Sequence, residues 1–248
     1  MLNPQLDREK LKQDFAKERR LRIEEFLAPG LAERVAELVP QHLPFKIHCS
    51  IEGKNQSISQ AEMAAMSDEE KRALNTKILS AASLGEGFLY CGYRLEDAKN
   101  TNSEELKFLH QLFEFINSEE VLSLIRYITG NDKIDTADAH YTRYTPGQFL
   151  TRHQDIIAGK NRRFAYVLSF TQNWHPDWGG LLQYYLADGT PEETWVPKFN
   201  TLTIFDTKYI HAVSCVAPYA AAARISLTGW FQDLSAVAQP DWSVNYDL

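Results

Sequence analysis

Cysteine is scarce in this chain: Cys49, Cys91 and Cys215 stand far apart and form no CxxC pair. That spacing excludes a disulfide framework and a cysteine-rich zinc site, and fits reduced thiols. No apolar run approaches the ~20 residues that a bilayer-spanning helix needs. Residues 1–22 are polar and charged, without the apolar stretch of a signal peptide. Asn55-Gln-Ser57 therefore reads as a chance match to a glycosylation acceptor, and the expected compartment is the cytoplasm. A basic excess is missing too. With 26 Lys and Arg against 33 Asp and Glu, the formal net charge is −7, which argues against broad binding to nucleic acid or anionic membranes. Neither is expected as a partner, and the oligomeric state is left open. Internal repeats, low-complexity tracts and a flexible interdomain linker are all lacking. The 248 residues, 44% hydrophobic and 24% charged, are enough for one globular domain with a substantial core.

The first half carries helical signals. Residues 5–20 form a weakly amphipathic helix whose Lys17-Glu-Arg-Arg20 cluster reads as a solvated face in preference to a basic recognition patch. A helix over 31–38 follows Pro29-Gly30 and has Pro40 beyond its end. Residues 44–58 look extended and irregular. Ser59 with Glu62, and Ser67 with Glu70, have the Ser-x-x-Glu form of a capping box. Phe88–Tyr93 is aromatic and β-like, Ser103 opens an amphipathic helix, and another spans 121–128 before Gly130. From Ile134 the period changes to short apolar runs at 136–144, 148–153, 163–171, 180–186, 193–197, 201–206, 211–216 and 223–231. Eight such runs between turn residues suggest a sandwich or jelly roll, and the whole an α+β unit.

Chemistry concentrates in this second half. His153-Gln-Asp155 places two metal-binding side chains on one face of an extended chain, because residues i and i+2 point the same way. His211, between two apolar runs, can supply a third ligand from a distant strand. Two imidazoles and one carboxylate are the ligand set of a non-haem Fe(II) site with positions left open. An HxD pair alone is weak evidence, since a surface histidine and a turn-capping aspartate spell it equally well. Arg224-Ile-Ser226-Leu-Thr228-Gly-Trp230 adds a second signal, a period-two run with Arg, Ser, Thr and Trp on one face. A buried cation beside a metal suits a dicarboxylate. His175 with Asp177 is a decoy HxD, because Pro176 and the adjoining turn make a poor metal-binding strand; residues 173–178 read as a rim loop over the site. His140 reads equally as a pocket or a core histidine, and Arg162 as part of a solvated turn.

The stretch from about Ile134 to Gln232 resembles the double-stranded β-helix (jelly roll) of the Fe(II)/2-oxoglutarate-dependent dioxygenases, in their prolyl-4-hydroxylase-like branch. The pieces that carry the likeness are Tyr144-Thr-Pro-Gly147, the HxD pair, Trp178-Gly-Gly-Leu181, Pro197-Lys-Phe-Asn200 and the RxSxTxW run. The resemblance implies an N-terminal mainly helical support region over 1–133, the β-helix over 134–235 and a tail over 236–248, as one integrated domain. It implies Fe(II) on His153, Asp155 and His211, with 2-oxoglutarate and O2 as cosubstrates and ascorbate as an accessory reductant. Arg224 would clamp the distal carboxylate of 2-oxoglutarate with its planar guanidinium. Tyr144 and Ser226 would hydrogen-bond the cosubstrate, and Thr228 and Trp230 would line the pocket. A tyrosine that relatives place in the strand after the HxD pair is Ser169 here. The implied reaction is hydroxylation of a prolyl or other amino-acid residue in a peptide or protein, with release of succinate and CO2. A free amino acid or small metabolite is the alternative substrate. A cupin-like metal-binding module without oxygenase activity is a third reading, which the Arg224 run disfavours.

Overall fold

The computed structural model describes residues 1–95, 103–157 and 159–234. The tail expected over 236–248 lies outside the described residues. In chain order the first half holds α1 (Arg8–Glu18), β1 (Arg20–Ile23), α2 (Leu31–His42), β2 (Lys46–Ile51), β3 (Lys54–Ile58), α3 (Gln60–Ala65), α4 (Asp68–Ser83), β4 (Phe88–Arg94), α5 (Glu104–Ile116) and α6 (Glu119–Thr129). The second half is β5 (Thr136–Ala137), β6 (His140–Tyr144), β7 (Phe149–His153), β8 (Arg162–Ser169), β9 (Leu182–Tyr185), β10 (Pro191–Trp195), β11 (Thr201–Asp206), β12 (Ile210–Val213) and β13 (Arg224–Gln232).

Helix boundaries follow from capping chemistry. Ser59 and Ser67 each close a reciprocal capping box with Glu62 and Glu70, satisfying backbone donors at the starts of α3 and α4. Ser103 accepts from the Leu106 amide to start α5, and Gly130 ends α6 in the left-handed region. Two expectations need correction. Pro40 lies inside α2, in its last turn, where only the bond to Ala36 is forfeited and the Leu43 amide still reaches the Val39 carbonyl. Residues 46–58 are a regular hairpin, β2 against β3. Its outer strand is almost wholly exposed and polar, so it lacks the apolar alternation that marks a half-buried strand.

All described strand pairs are antiparallel, and they join into one curled sheet in the order β1-β11-β8-β13-β6-β4-β7-β12-β9-β10, with β2 and β3 extending from β4 and β5 beside β13. The architecture is the α+β jelly roll anticipated above. The region before Ile134 also supplies strands to it: β1 pairs with β11, and β4 bridges β6 and β7. Period-two alternation sorts side chains between the faces. On β13, Ile225, Leu227 and Phe231 join the main core beneath the helices, with Tyr166 and Leu168 of β8 and Ile204 of β11. Helix α6 contributes Val121, Leu124, Ile125 and Ile128 to the same core, each 2% exposed or less. Each such side chain contributes ~1.5–3 kcal/mol by leaving water. The alternate residues Arg224, Ser226, Thr228 and Trp230 are left on the concave face, where they line a cavity. Gly229 allows the run to pass its neighbour, since a Cβ there would lie 2.0 Å from the Asp138 carbonyl oxygen. Among the described residues no helix is long and apolar enough to cross a membrane.

Candidate active site

Strand β7 ends at His153 and β12 begins beside His211, and the antiparallel register sets the two opposite each other. Their ring centroids are 4.2 Å apart. Asp155 lies just past the strand end, held by its amide on the Thr207 carbonyl at 3.1 Å. Its carboxylate sits between the two imidazoles, Oδ1 being 3.5 Å from His153 Nε2 and Oδ2 3.4 Å from His211 Nε2. One atom from each of the three lies within 4.8 Å of the others, a spacing that can hold a metal ion. The outer ring nitrogens are already committed: His153 Nδ1 meets the Thr151 carbonyl at 2.9 Å and His211 Nδ1 the Tyr209 carbonyl at 3.0 Å. Donation from Nδ1 leaves the Nε2 lone pairs facing the gap, the arrangement by which backbone acceptors orient metal-binding imidazoles.

Electrostatics suit the same reading. Burial would raise the Asp155 pKa, but the hydrogen bond with His153, the imidazoles of His211 and His153, and the Trp230 indole bring it down to about 2. Burial pushes His211 down to about 4, with His153 acting in the same direction. On His153 burial also opposes charge, yet its hydrogen bond to Asp155 and the carboxylate's charge outweigh that, and its pKa rises. An ionised carboxylate beside a neutral His211 is a donor set ready for a divalent cation.

Arg224, 4% exposed, stands opposite Tyr144 in the β13–β6 register, its guanidinium 5.3 Å from that ring. Its Nη1 is buried without a hydrogen-bond partner. A buried cation with an idle donor is costly unless an anion completes it, so this corner fits a carboxylate. Beside it, Gly179 and Gly180 both have positive φ, and Gly179 lets the loop approach the segment after β12, since a Cβ there would lie 2.1 Å from the Cys215 carbonyl oxygen. Tyr144 stacks on Tyr90 of β4 at 5.4 Å, and burial raises its pKa, keeping the phenol neutral. Ser226 lines the cavity with its hydroxyl 2.9 Å from Thr142 Oγ1. Thr228 spends its hydroxyl on the Tyr166 carbonyl. Ser169 lies opposite Ser226 and faces a small space behind Arg224.

These groups surround a cavity of about 600 Å³ that contains all three candidate ligands together with Tyr144, Arg224, Ser226, Thr228 and Trp230. His140 lines it too, stacked on Trp230 at 5.9 Å. Burial, then the charges of Arg94, His48 and Arg162, push His140 down to about 4. Arg162 is not in a solvated turn. It opens β8 with its side chain 8% exposed and its guanidinium 3.3 Å from the Trp230 ring centroid. Stacking on the indole compensates part of its burial, which neighbouring sequence does not reveal. The loop 173–178 does not cover the cavity, since none of its residues lines it. Trp174 and Trp178 instead pack with Tyr144, Val213 and Val216, because the loop's apolar rings bury better there than over an open mouth. Tyr90, Phe88 and Arg94 of β4 had no local signal and reach the cavity only because β4 bridges β6 and β7.

Residues 139–232 match the family model described as the 2OG-Fe(II) oxygenase superfamily. The chain is 31% identical over 160 residues to the prolyl 3-hydroxylase OGFOD1 of Xenopus laevis, a span of 61% of this chain and 30% of that protein. It thus matches under a third of that relative's length. Among solved structures, a Pseudomonas putida prolyl-4-hydroxylase superposes with a TM-score of 0.55 at 21% identity, covering 91% of this chain and 98% of that one. A Trichoplax adhaerens prolyl hydroxylase does so with a TM-score of 0.58 at 18% identity, covering 91% and 89%. Those structural likenesses speak for the fold; the matched span runs from before β6 to the end of β13 and holds the His153, Asp155, His211 cluster together with Arg224. Residues 139–232 are therefore similar to the 2OG-Fe(II) oxygenase superfamily, and a prolyl 3-hydroxylase is among the proteins the chain resembles.

Proposed function

We propose that this chain is an Fe(II)- and 2-oxoglutarate-dependent dioxygenase that hydroxylates a C–H bond of a prolyl or other amino-acid residue in a peptide or protein. The observation that carries the reading is the pairing, in one cavity, of a three-residue metal cluster with a buried, incompletely satisfied arginine. His153, Asp155 and His211 would hold the iron, and the donor chemistry described above fits it. When bound, iron, 2-oxoglutarate and O2 supply an oxidation in which one oxygen atom enters the substrate C–H bond and the other enters succinate, with loss of CO2. The chain's own part is to bind, orient and exclude water. Arg224 would take the distal carboxylate, with Tyr144 and the Ser226–Thr142 hydroxyl pair lining the same end. Thr228 and Trp230 would wall the substrate end, and Arg162 on the Trp230 face offers hydrogen-bond donors there.

A peptide is favoured over a free small molecule because the cavity does not stop at the metal. A second space of about 900 Å³ runs along the face of β2, β3 and β4 and shares Asn55, Phe88, Tyr90 and Arg94 with the first. The OGFOD1 relative is named a prolyl 3-hydroxylase, and the Trichoplax structure holds a peptide fragment of hypoxia inducible factor. A cupin-like module without oxygenase activity would leave the buried Arg224 donor without a task. The test is the visible spectrum after anaerobic addition of Fe(II) and 2-oxoglutarate. A charge-transfer band in the wild type that fades in Asp155→Ala and Arg224→Ala is expected. Absence of the band while iron is bound would remove the cosubstrate assignment. Succinate formation with proline peptides against free proline then separates the two substrate classes.

A further inference from the structure

The whole chain is acidic, at −7, but its candidate substrate space is not. The cavity around the metal cluster is lined by Arg94, Arg152, Lys160, Arg162 and Arg224 against Glu86 and Asp155. Arg224 and Asp155 belong to the cosubstrate and metal positions. Among the described residues the mouth is left with four cations facing one carboxylate. Among the described residues, Arg94, Arg152 and Lys160 form no ion pair with a carboxylate, and the nearest acid to Arg162 is Asp138 at 3.9 Å. Arg162 is the strongest indicator: its side chain is 8% exposed, its Nε is buried without a hydrogen-bond partner, and it lines the cavity. The adjoining space along β2, β3 and β4 continues the pattern, with Lys46 and Arg94 and no carboxylate among the described residues of its lining. Arg94 stands where the two spaces meet.

We infer that the substrate is an acidic peptide segment, with aspartate or glutamate side chains flanking the oxidised residue. This rests on the reading of the cavity as an oxygenase substrate site. Clustered cations in a concave, partly desolvated setting concentrate the field and recruit a complementary partner, even when the net charge of the protein has the other sign. The neutral amides and hydroxyls of Asn55, Gln56 and Ser57 along the second space suit an extended backbone. A polynucleotide fits less well, because a chain at −7 repels a dense polyanion outside this patch.

Fluorescein-labelled peptides of equal length, each with a central proline flanked by Glu, Gln or Lys, would be titrated with the full chain at low and high salt. The Glu peptide should bind best, roughly tenfold tighter than the Gln peptide at low salt, and lose that margin at high salt. In Arg94→Glu/Lys160→Glu the order should invert, so that the Lys peptide gains; a gain cannot come from misfolding. Equal binding of Glu and Gln peptides, preference for Lys in the wild type, or no binding would overturn the inference. So would a single-stranded RNA oligomer that binds more tightly than the Glu peptide and is lost on the same charge reversal. The iron–2-oxoglutarate band of the wild type is scored separately: its absence counts against the oxygenase reading, whereas the peptide order reports on charge alone.

Discussion

Arg224 and Tyr144 face each other across β13 and β6, with the guanidinium 5.3 Å from the tyrosine ring and Nη1 without a partner. The pair places a desolvated positive charge against a neutral aromatic wall, a poor arrangement for the empty protein and a good one for a bound carboxylate. Arg224→Met should therefore cost little stability, or raise it, in the absence of 2-oxoglutarate. Thermal unfolding with and without 2-oxoglutarate checks this: the ligand should raise the melting temperature of the wild type and leave the variant unmoved. Arg224→Lys keeps the charge but loses the fork, and should weaken 2-oxoglutarate binding about tenfold or more.

Removing a candidate metal ligand should separate metal affinity from folding. Asp155→Ala and His211→Ala are expected to lower Mn(II) or Fe(II) affinity by at least ~100-fold and to abolish 2-oxoglutarate decarboxylation. Far-UV circular dichroism should be unchanged, because the β7–β12 pairing is held by the backbone register. Full turnover by either variant would sink the metal assignment.

His140 gives a pH prediction. Its folded pKa of about 4 lies below the ordinary 6.5, so the folded state prefers it neutral. Stability from this source is fully present above pH 6.5 and declines as pH falls from about 6.5 to about 4, where the unfolded chain binds the proton first. His140→Gln should flatten that limb, the wild type losing roughly 1–3 kcal/mol more than the variant across the window. Urea unfolding of the metal-free proteins at pH 7, 5.5 and 4.5 measures the difference; parallel losses would reject the burial argument.

Leu227 tests the outer face of the same strand. It is fully buried beneath the helices, so Leu227→Ala should cost ~2–5 kcal/mol as a fall in the urea midpoint. Iron and 2-oxoglutarate should still bind at low temperature, since neighbouring residues on β13 point to opposite faces. A midpoint within experimental error of the wild type would show that the core is not packed as described.

The sequence alone determined whatever depends on local chemistry. Capping boxes at Ser59 and Ser67 mark helix starts because cap and partner are three residues apart. The β13 run shows its cavity face because the strand period is two, so Arg224, Ser226, Thr228 and Trp230 could be grouped without a structure. His153 and Asp155 were legible for the same reason. What tertiary structure decided is everything set by register between distant strands. It put His211 opposite His153 and seated Arg162 on Trp230, where a buried guanidinium is tolerable only because an indole face lies beneath it. It also brought β4 between β6 and β7, carrying Tyr90 and Arg94 to the site from about fifty residues earlier in the chain. A local pattern records which way a side chain faces, but not what it will face, since that follows from the pairing of strands far apart in sequence.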